Sequence, residues 1–155
     1  MTGDNTGFAP CTPCAVMAIL KYYNIPIEGK LSVVIGRSMI VGKPMSMLLL
    51  NENSTVTTCH SKTVNLDKIC SQADILVVGI GKAKFINSRY IKEEAVVIDV
   101  GINLDEYGKL CGDVDIKSCE SKNVIVTPVP GGVGAVTSSI LTQHIVRACK
   151  YHNNL

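Results

Sequence analysis

An excess of charge of one sign is missing from this 155-residue chain: 15 basic and 13 acidic residues leave a formal net charge of +2. Nucleic acids are held largely by neutralising phosphates, so this balance argues against a nucleic-acid partner. No apolar run approaches the roughly 20 residues of a membrane-spanning helix, and no signal peptide is evident. A cytoplasmic protein with no membrane partner is therefore expected. A regular cysteine frame is also missing, since the seven cysteines are odd in number and unevenly spaced. In a cytoplasmic chain they read as small buried apolar residues, with one or two exposed thiols. Cys11 and Cys14 form a C-x-x-C, but no second pair exists to complete a zinc site. Only ten residues precede Cys11, too few for the βα frame of a redox motif. No metal site is expected. His144 and His152 have no triad partners in view, and Ser38 lacks the second glycine of a G-x-S-x-G nucleophile elbow.

What the chain does have is alternation. Its length suits one domain that buries roughly 68–70% of its unfolded surface. Residues 31–35, 55–59, 74–78, 95–100 and 123–126 read as short strands, and those at 74–78 and 95–100 carry the continuous apolar run of a strand buried on both faces. Helical patterns lie between and around them. Thr12 is placed to cap a helix that Pro13 begins, with Val16, Met17, Ile19, Leu20 and Tyr23 on its stripe and Asn24 and Pro26 at its end. Helices follow at 43–51 and 66–71, and a last one at 134–150 places Ile140, Leu141, His144, Ile145 and Ala148 on one face. Strands alternating with helices predict an α/β fold, a doubly wound, mainly parallel Rossmann-like sheet covered on both faces. Ligands of that class bind beyond the carboxyl ends of the strands. Glycines follow the apolar strands at Gly36, Gly79, Gly81, Gly101, Gly131 and Gly132, so they are expected to gather along one edge.

The most informative stretch is Val33-Val34-Ile35-Gly36-Arg37-Ser38-Met39-Ile40-Val41-Gly42-Lys43-Pro44. A strand, a glycine turn and a helix start would leave free N–H groups and a positive helix end for a phosphate. It departs from the G-x-G-x-x-G fingerprint, because two glycines frame five residues. Arg37 can offer a planar donor fork to a ribose phosphate. After the second strand comes Cys59-His60-Ser61-Lys62, where an NAD enzyme often carries an acid that would repel that phosphate. Read from the residues alone, Arg37 serves either a phosphate or the solvent. Asp99, at a strand end, orients or caps its loop.

These residues resemble a family. Gly36-Arg37-Ser38-x-x-Val41-Gly42-x-Pro44 is similar to the signature of the bifunctional methylenetetrahydrofolate dehydrogenase/methenyltetrahydrofolate cyclohydrolases. Pro10-Cys11-Thr12-Pro13, the stretch from Val97 to Asn103, and Thr127-Pro128-Val129-Pro130-Gly131-Gly132-Val133-Gly134 resemble three further motifs, in the family's order. Ala15 and Ala135 depart from the pattern, standing where the family usually has Gly and commonly has Pro.

The resemblance implies that residues 1–155 are an NADP-binding Rossmann domain. Its cofactor contacts would be Gly36, Arg37, Ser38, Val41, Gly42, His60, Ser61, Gly79, Gly101, Ile102, Pro130, Gly131 and Gly132. Its folate side would be Cys11, Thr12, Pro13 and again residues 130–132. NADP would be preferred to NAD. The family's catalytic lysine belongs to a Y-x-x-x-K motif on an N-terminal folate domain, and no tyrosine here is followed four positions later by lysine. The family's D-x-D-G is absent too; Asp113-Val114-Asp115 lacks the glycine and matches a later segment. No catalytic residue is assigned, so the chain alone is expected to be inactive. A homodimer is implied, and so is a docking face for the N-terminal folate domain, left apolar around Val16, Met17 and Leu20. The alternative reading is a stand-alone nucleotide-binding or regulatory module without catalysis.

Overall fold

The computed structural model describes residues 7–153. Helix α1, Cys11–Tyr22, precedes the first strand, β1, Leu31–Ile35. Then follow α2 Gly42–Asn51, β2 Thr55–Cys59, α3 Leu66–Cys70, β3 Ile75–Val78 and β4 Val96–Asp99. A hairpin of β5 Asn103–Leu104 and β6 Leu110–Cys111, then β7 Ile125–Val126 and α4 Val133–His152, complete the chain. The main sheet has the order β2-β1-β3-β4-β7, and every pairing in it is parallel. The chain leaves β1 in one direction to reach β2 and returns past it to β3, which makes the gap beyond β1 and β3 the topological switch point.

The strand alternation divides the core in two. Val34, Ile75, Val77, Val96 and Ile98 face a cluster completed by α1, α2 and α4 through Val16, Leu20, Met45, Leu49, Val133 and Ile140. Val33, Ile35, Leu76, Val78 and Val97 face the other way, against Cys59, Cys70, Ile86, Ile91, Val114 and Cys119. The second face is covered by one five-residue helix, two 3₁₀ turns and irregular chain, a thinner cover than the doubly wound pattern suggests. Each fully buried Leu, Ile or Val contributes about 1.5–3 kcal/mol, so the sheet's two-sided burial dominates stability.

Three sequence expectations change. Thr12 does not cap α1: Pro10 is the N-cap residue, no side chain caps the helix, and Cys14 N–H donates to Pro10 O at 3.3 Å. Pro13 falls within the first turn, where its missing N–H would have had no helical acceptor. Val16, Met17 and Leu20 are not a docking face, because all three are buried in this chain's own core. On α4 only Ile140 of the expected face is buried; Leu141, Ile145 and Ala148 are exposed. The end of α1 is as expected and has a clear cause. Asn24 takes φ +53°, its N–H donates to Lys21 O, and Ile25 N–H reaches back to Leu20 O, which closes a Schellman motif.

Candidate functional site

The glycines do gather at the carboxyl edge of the sheet. Gly36, with φ +132°, follows β1, and a Cβ placed on it would stand 2.6 Å from Gly79 O after β3. Gly79 N–H donates to Ile35 O at 3.0 Å. The two strand ends beside the switch point therefore meet backbone to backbone. Gly42 closes the turn, since a Cβ there would overlap the Gly36 carbonyl. The five residues between these glycines become a loop standing beyond the sheet, with Arg37, Ser38, Met39 and Ile40 exposed.

The start of α2 is not the free donor cluster that the sequence suggested. Ser38 Oγ accepts the N–H groups of Val41 at 3.0 Å and Gly42 at 3.4 Å, and Ser38 O accepts Lys43 N–H at 3.0 Å. Pro44 has no N–H, and Met45 N–H is taken by Val41 O. The orphan donors of the helix are thus satisfied by Ser38. The Arg37 guanidinium and the hydroxyl proton of Ser38 stay available to an anion here, on a loop whose residues 37–40 are exposed.

Register brings the end of β2 alongside. Ile35 is paired with Cys59, and Gly36 N–H donates to Cys59 O at 2.9 Å, so Arg37 and His60-Ser61 leave neighbouring strand ends. The 60–63 turn is locked by Thr63, whose hydroxyl accepts His60 N–H at 2.8 Å and whose N–H donates to His60 O at 2.8 Å. His60 Nδ1 accepts Lys62 N–H at 3.2 Å. Ser61 and Lys62 stand exposed at the tip.

Beyond β4, Gly101 is buried and Ile102 exposed. Together with Val100 and Leu110 they face residues 128–135 across a recess of about 180 Å³. Gly131, Gly132 and Pro128 also border a second, larger recess of about 430 Å³, whose far wall is Ala18, Ile19, Tyr22 and Tyr23 of α1. The 130–132 loop thus divides two recesses, and Pro130 lines only the first. Cys11, Thr12 and Pro13 line neither. Pro13 is buried, and Cys11 Sγ lies 3.7 Å from His144 Nδ1 on α4. Burial, and then the neighbouring Cys11, raise the Cys14 thiol above its ordinary value, the reverse of an activated C-x-x-C pair. Cys59, Cys70, Cys111 and Cys119 are buried and Cys149 is exposed.

Two buried acids order the loops at this edge of the sheet. Asp99, 1% exposed, accepts N–H groups from Gly101 at 2.9 Å, Asp113 at 3.0 Å and Val114 at 2.8 Å. Burial raises its carboxyl above the ordinary value, helped by the charge of Asp113 and opposed by the three N–H donors. The structural role expected for Asp99 is borne out. Asp113 received no role in the sequence, because nothing local links it to residues 79–82. A glycine after a buried aspartate on one segment, and before one on the other, was the only available hint.

The profile of the family "Tetrahydrofolate dehydrogenase/cyclohydrolase, NAD(P)-binding domain" matches residues 10–153. This chain belongs to that family. A Bifunctional protein FolD from Clostridium kluyveri is 83% identical over 155 residues, 100% of this chain and 55% of its own length. The structure of the FolD bifunctional enzyme from Campylobacter jejuni superposes with a TM-score of 0.92 at 46% identity, covering 99% of this chain and 54% of that one. The Trypanosoma brucei FolD, solved with NADP cofactor and an inhibitor, gives a TM-score of 0.89 at 36% identity, covering 100% of this chain and 55% of that one. The chain spans about half the length of the FolD relatives it matches. Among the described residues, no helix is long and apolar enough to cross a membrane. No group of three or more His, Cys, Asp or Glu among them could hold a metal.

Proposed function

We propose that this chain is the NADP-binding part of a FolD-type enzyme of cytoplasmic one-carbon metabolism. Residues 1–155 would be one Rossmann domain, and the folate-side catalytic groups would lie in the length its relatives have in addition. One observation carries the preference for NADP over NAD. Arg37 and the Ser61-Lys62 tip leave adjacent strand ends beside the switch point, and no acid stands among residues 59–63. A planar guanidinium with neighbouring hydroxyl and ammonium groups suits a dianionic ribose phosphate. Gly36, Val41, Gly42, Gly79 and His60 shape that side. Gly101, Ile102 and residues 130–132 would border the nicotinamide, and residues 130–132 with Cys11, Thr12 and Pro13 the folate.

NADP, when bound, supplies the hydride acceptor for oxidation of 5,10-methylenetetrahydrofolate to the methenyl form, which the intact enzyme then hydrolyses to 10-formyltetrahydrofolate. This chain's residues would hold and orient the cofactor and wall off one side of the reacting rings. The proton-transfer group would come from outside it. Calorimetry with both cofactors tests the reading. Arg37→Ala should weaken NADP by about 1.5–3 kcal/mol, the range for a hydrogen bond to a charged group, and leave NAD nearly unchanged. Equal losses for the two cofactors would contradict the phosphate assignment.

A further inference from the structure

The loop that follows β3 is built like an anion-binding site and is already filled. Ile80 N–H at 2.7 Å and Gly81 N–H at 3.0 Å donate to Asp113 Oδ2, and Lys82 N–H at 2.7 Å donates to Oδ1. Asn103 Nδ2 adds a fourth donor to Oδ1 at 2.9 Å. Gly81 takes φ +67°, the conformation that lets successive N–H groups face one centre. Three consecutive N–H groups converging on one anion make a backbone nest, the device that elsewhere cradles phosphate. Here the anion is the protein's own carboxylate, on a residue with 0% exposure.

Asp113 is itself held from below. Its N–H donates to Asp99 Oδ1, and the Asp99 carboxylate lies where a Cβ on Gly112 would be. Reciprocally, the Asp113 carboxyl lies where a Cβ on Gly101 would be. The two Asp–Gly pairs interlock, and they run from the end of β4 through Asp99 and Asp113 to the loop after β3. The flanking chain is joined as well, through Lys84 N–H to Gly112 O at 3.0 Å and Ile86 N–H to Asp113 O at 3.0 Å.

We propose that Asp113 is a positioning residue of the nucleotide crevice. Its carboxylate takes the place of a phosphate in the nest at residues 80–82 and holds that loop in the shape that closes the crevice beside Gly36 and Gly79. This rests on the reading of the crevice as the NADP site. One consequence is a division of labour: the nest after β3 is closed to cofactor phosphates, which leaves the Arg37 side of the switch point to take them.

Removal and replacement of the anion test this on the 155-residue chain. Asp113→Ala leaves a small space ringed by the three N–H groups and the Asn103 amide, and formate is the probe that refills it. Without formate, exchange of the Ile80, Gly81 and Lys82 amides should accelerate about tenfold or more and NADP should bind about tenfold more weakly, as expected when buried donors lose their acceptor. Formate should restore both. Asp113→Asn keeps the volume but sets an NH₂ against one of the N–H donors, so it should show the same loosening with no response to formate. Unchanged exchange and affinity in Asp113→Ala, or losses that formate does not reverse, would overturn the proposal. If Asp113→Ala stays unfolded even in formate, Asp113→Asn decides: loosened amides support the proposal and unchanged amides overturn it. Should the wild-type chain bind no NADP, the cofactor reading fails on its own. Exchange at the three amides in the ligand-free chain then still decides whether Asp113 holds the loop.

Discussion

Gly42 has no space for even a methyl group, because a Cβ would overlap the backbone carbonyl of Gly36. Backbone gives way less readily than the end of a side chain, so Gly42→Ala should destabilise the chain by about 1–3 kcal/mol in urea unfolding. A loss under 0.5 kcal/mol would mean that the 36–42 turn relaxes freely. Asp99 allows a prediction with a definite sign. Its folded pKa is raised by burial above that of the unfolded chain, about 3.9. Between those two values the folded state holds more protons, so the contribution of Asp99 to stability falls as pH rises through that window. Asn does not titrate. The stability difference between wild type and Asp99→Asn should therefore shrink as pH is raised from the acid side of the window to neutrality. A difference that grows would mean that the three N–H donors outweigh burial. From the residues alone Arg37 and Ser61 fit either a phosphate or the solvent, and the structure leaves both exposed at neighbouring strand ends. That Ser38 Oγ accepts the N–H groups of Val41 and Gly42 at the start of α2 was not legible, since its sequence fits a ligand contact equally well. Asp113 was not legible: a nest is made by backbone conformation, and the acid that fills it lies some thirty positions later.

At the scale of elements, the strands were read almost to the residue. Leu31–Ile35 and Thr55–Cys59 agree at both ends, because β-branched runs bounded by polar or glycine residues have one natural boundary. The β5–β6 hairpin was missed, since two strands of two residues carry no periodicity. The helices were found, but of the stripe on α4 only Ile140 is buried. An apolar stripe marks the surface a helix can bury without saying which neighbour buries it, and here α1 covers only the side of α4 that carries Ile140. This gives a paired test. Leu20→Ala, in the core between α1 and the sheet, should cost about 2–5 kcal/mol, and Leu141→Ala on the open side of α4 less than about 0.5 kcal/mol. Comparable costs in urea unfolding would show that α4 is covered on both sides in solution.

For the whole molecule, exposed apolar groups are spread over loops and helices, and those at the end of α1 and on α4 include Tyr22, Tyr23, Leu141, Ile145 and Val146. They and the recess along Ile19 are exposed, unlike Val16, Met17 and Leu20, which are buried in the core. Such surface favours association. Sedimentation at rising concentration should reveal self-association that Tyr22→Glu and Ile145→Glu reduce; an ideal monomer throughout would count against it. The proposed division of the enzyme gives a second expectation. The chain alone should form no NADPH from methylenetetrahydrofolate, and turnover should appear when the remaining length of a FolD relative is supplied in trans. Turnover by the chain alone, abolished by Arg37→Ala, would show that the catalytic groups were sought in the wrong place.

The all-parallel sheet also governs how this chain comes to be folded. No two neighbouring strands in it are joined by a tight turn: Leu31 pairs with Thr55, Ser32 with Ile75, Ile75 with Val96 and Val96 with Ile125. Each pairing closes a loop of more than twenty residues before it returns any stabilisation, an entropic barrier that slows parallel sheets. During synthesis β1 and β2 emerge before β3, so β1 lacks its second neighbour until β3 has left the ribosome. Until then the apolar run from Val33 to Ile35 has an open edge, and it is over this interval that the nascent chain is most exposed to aggregation.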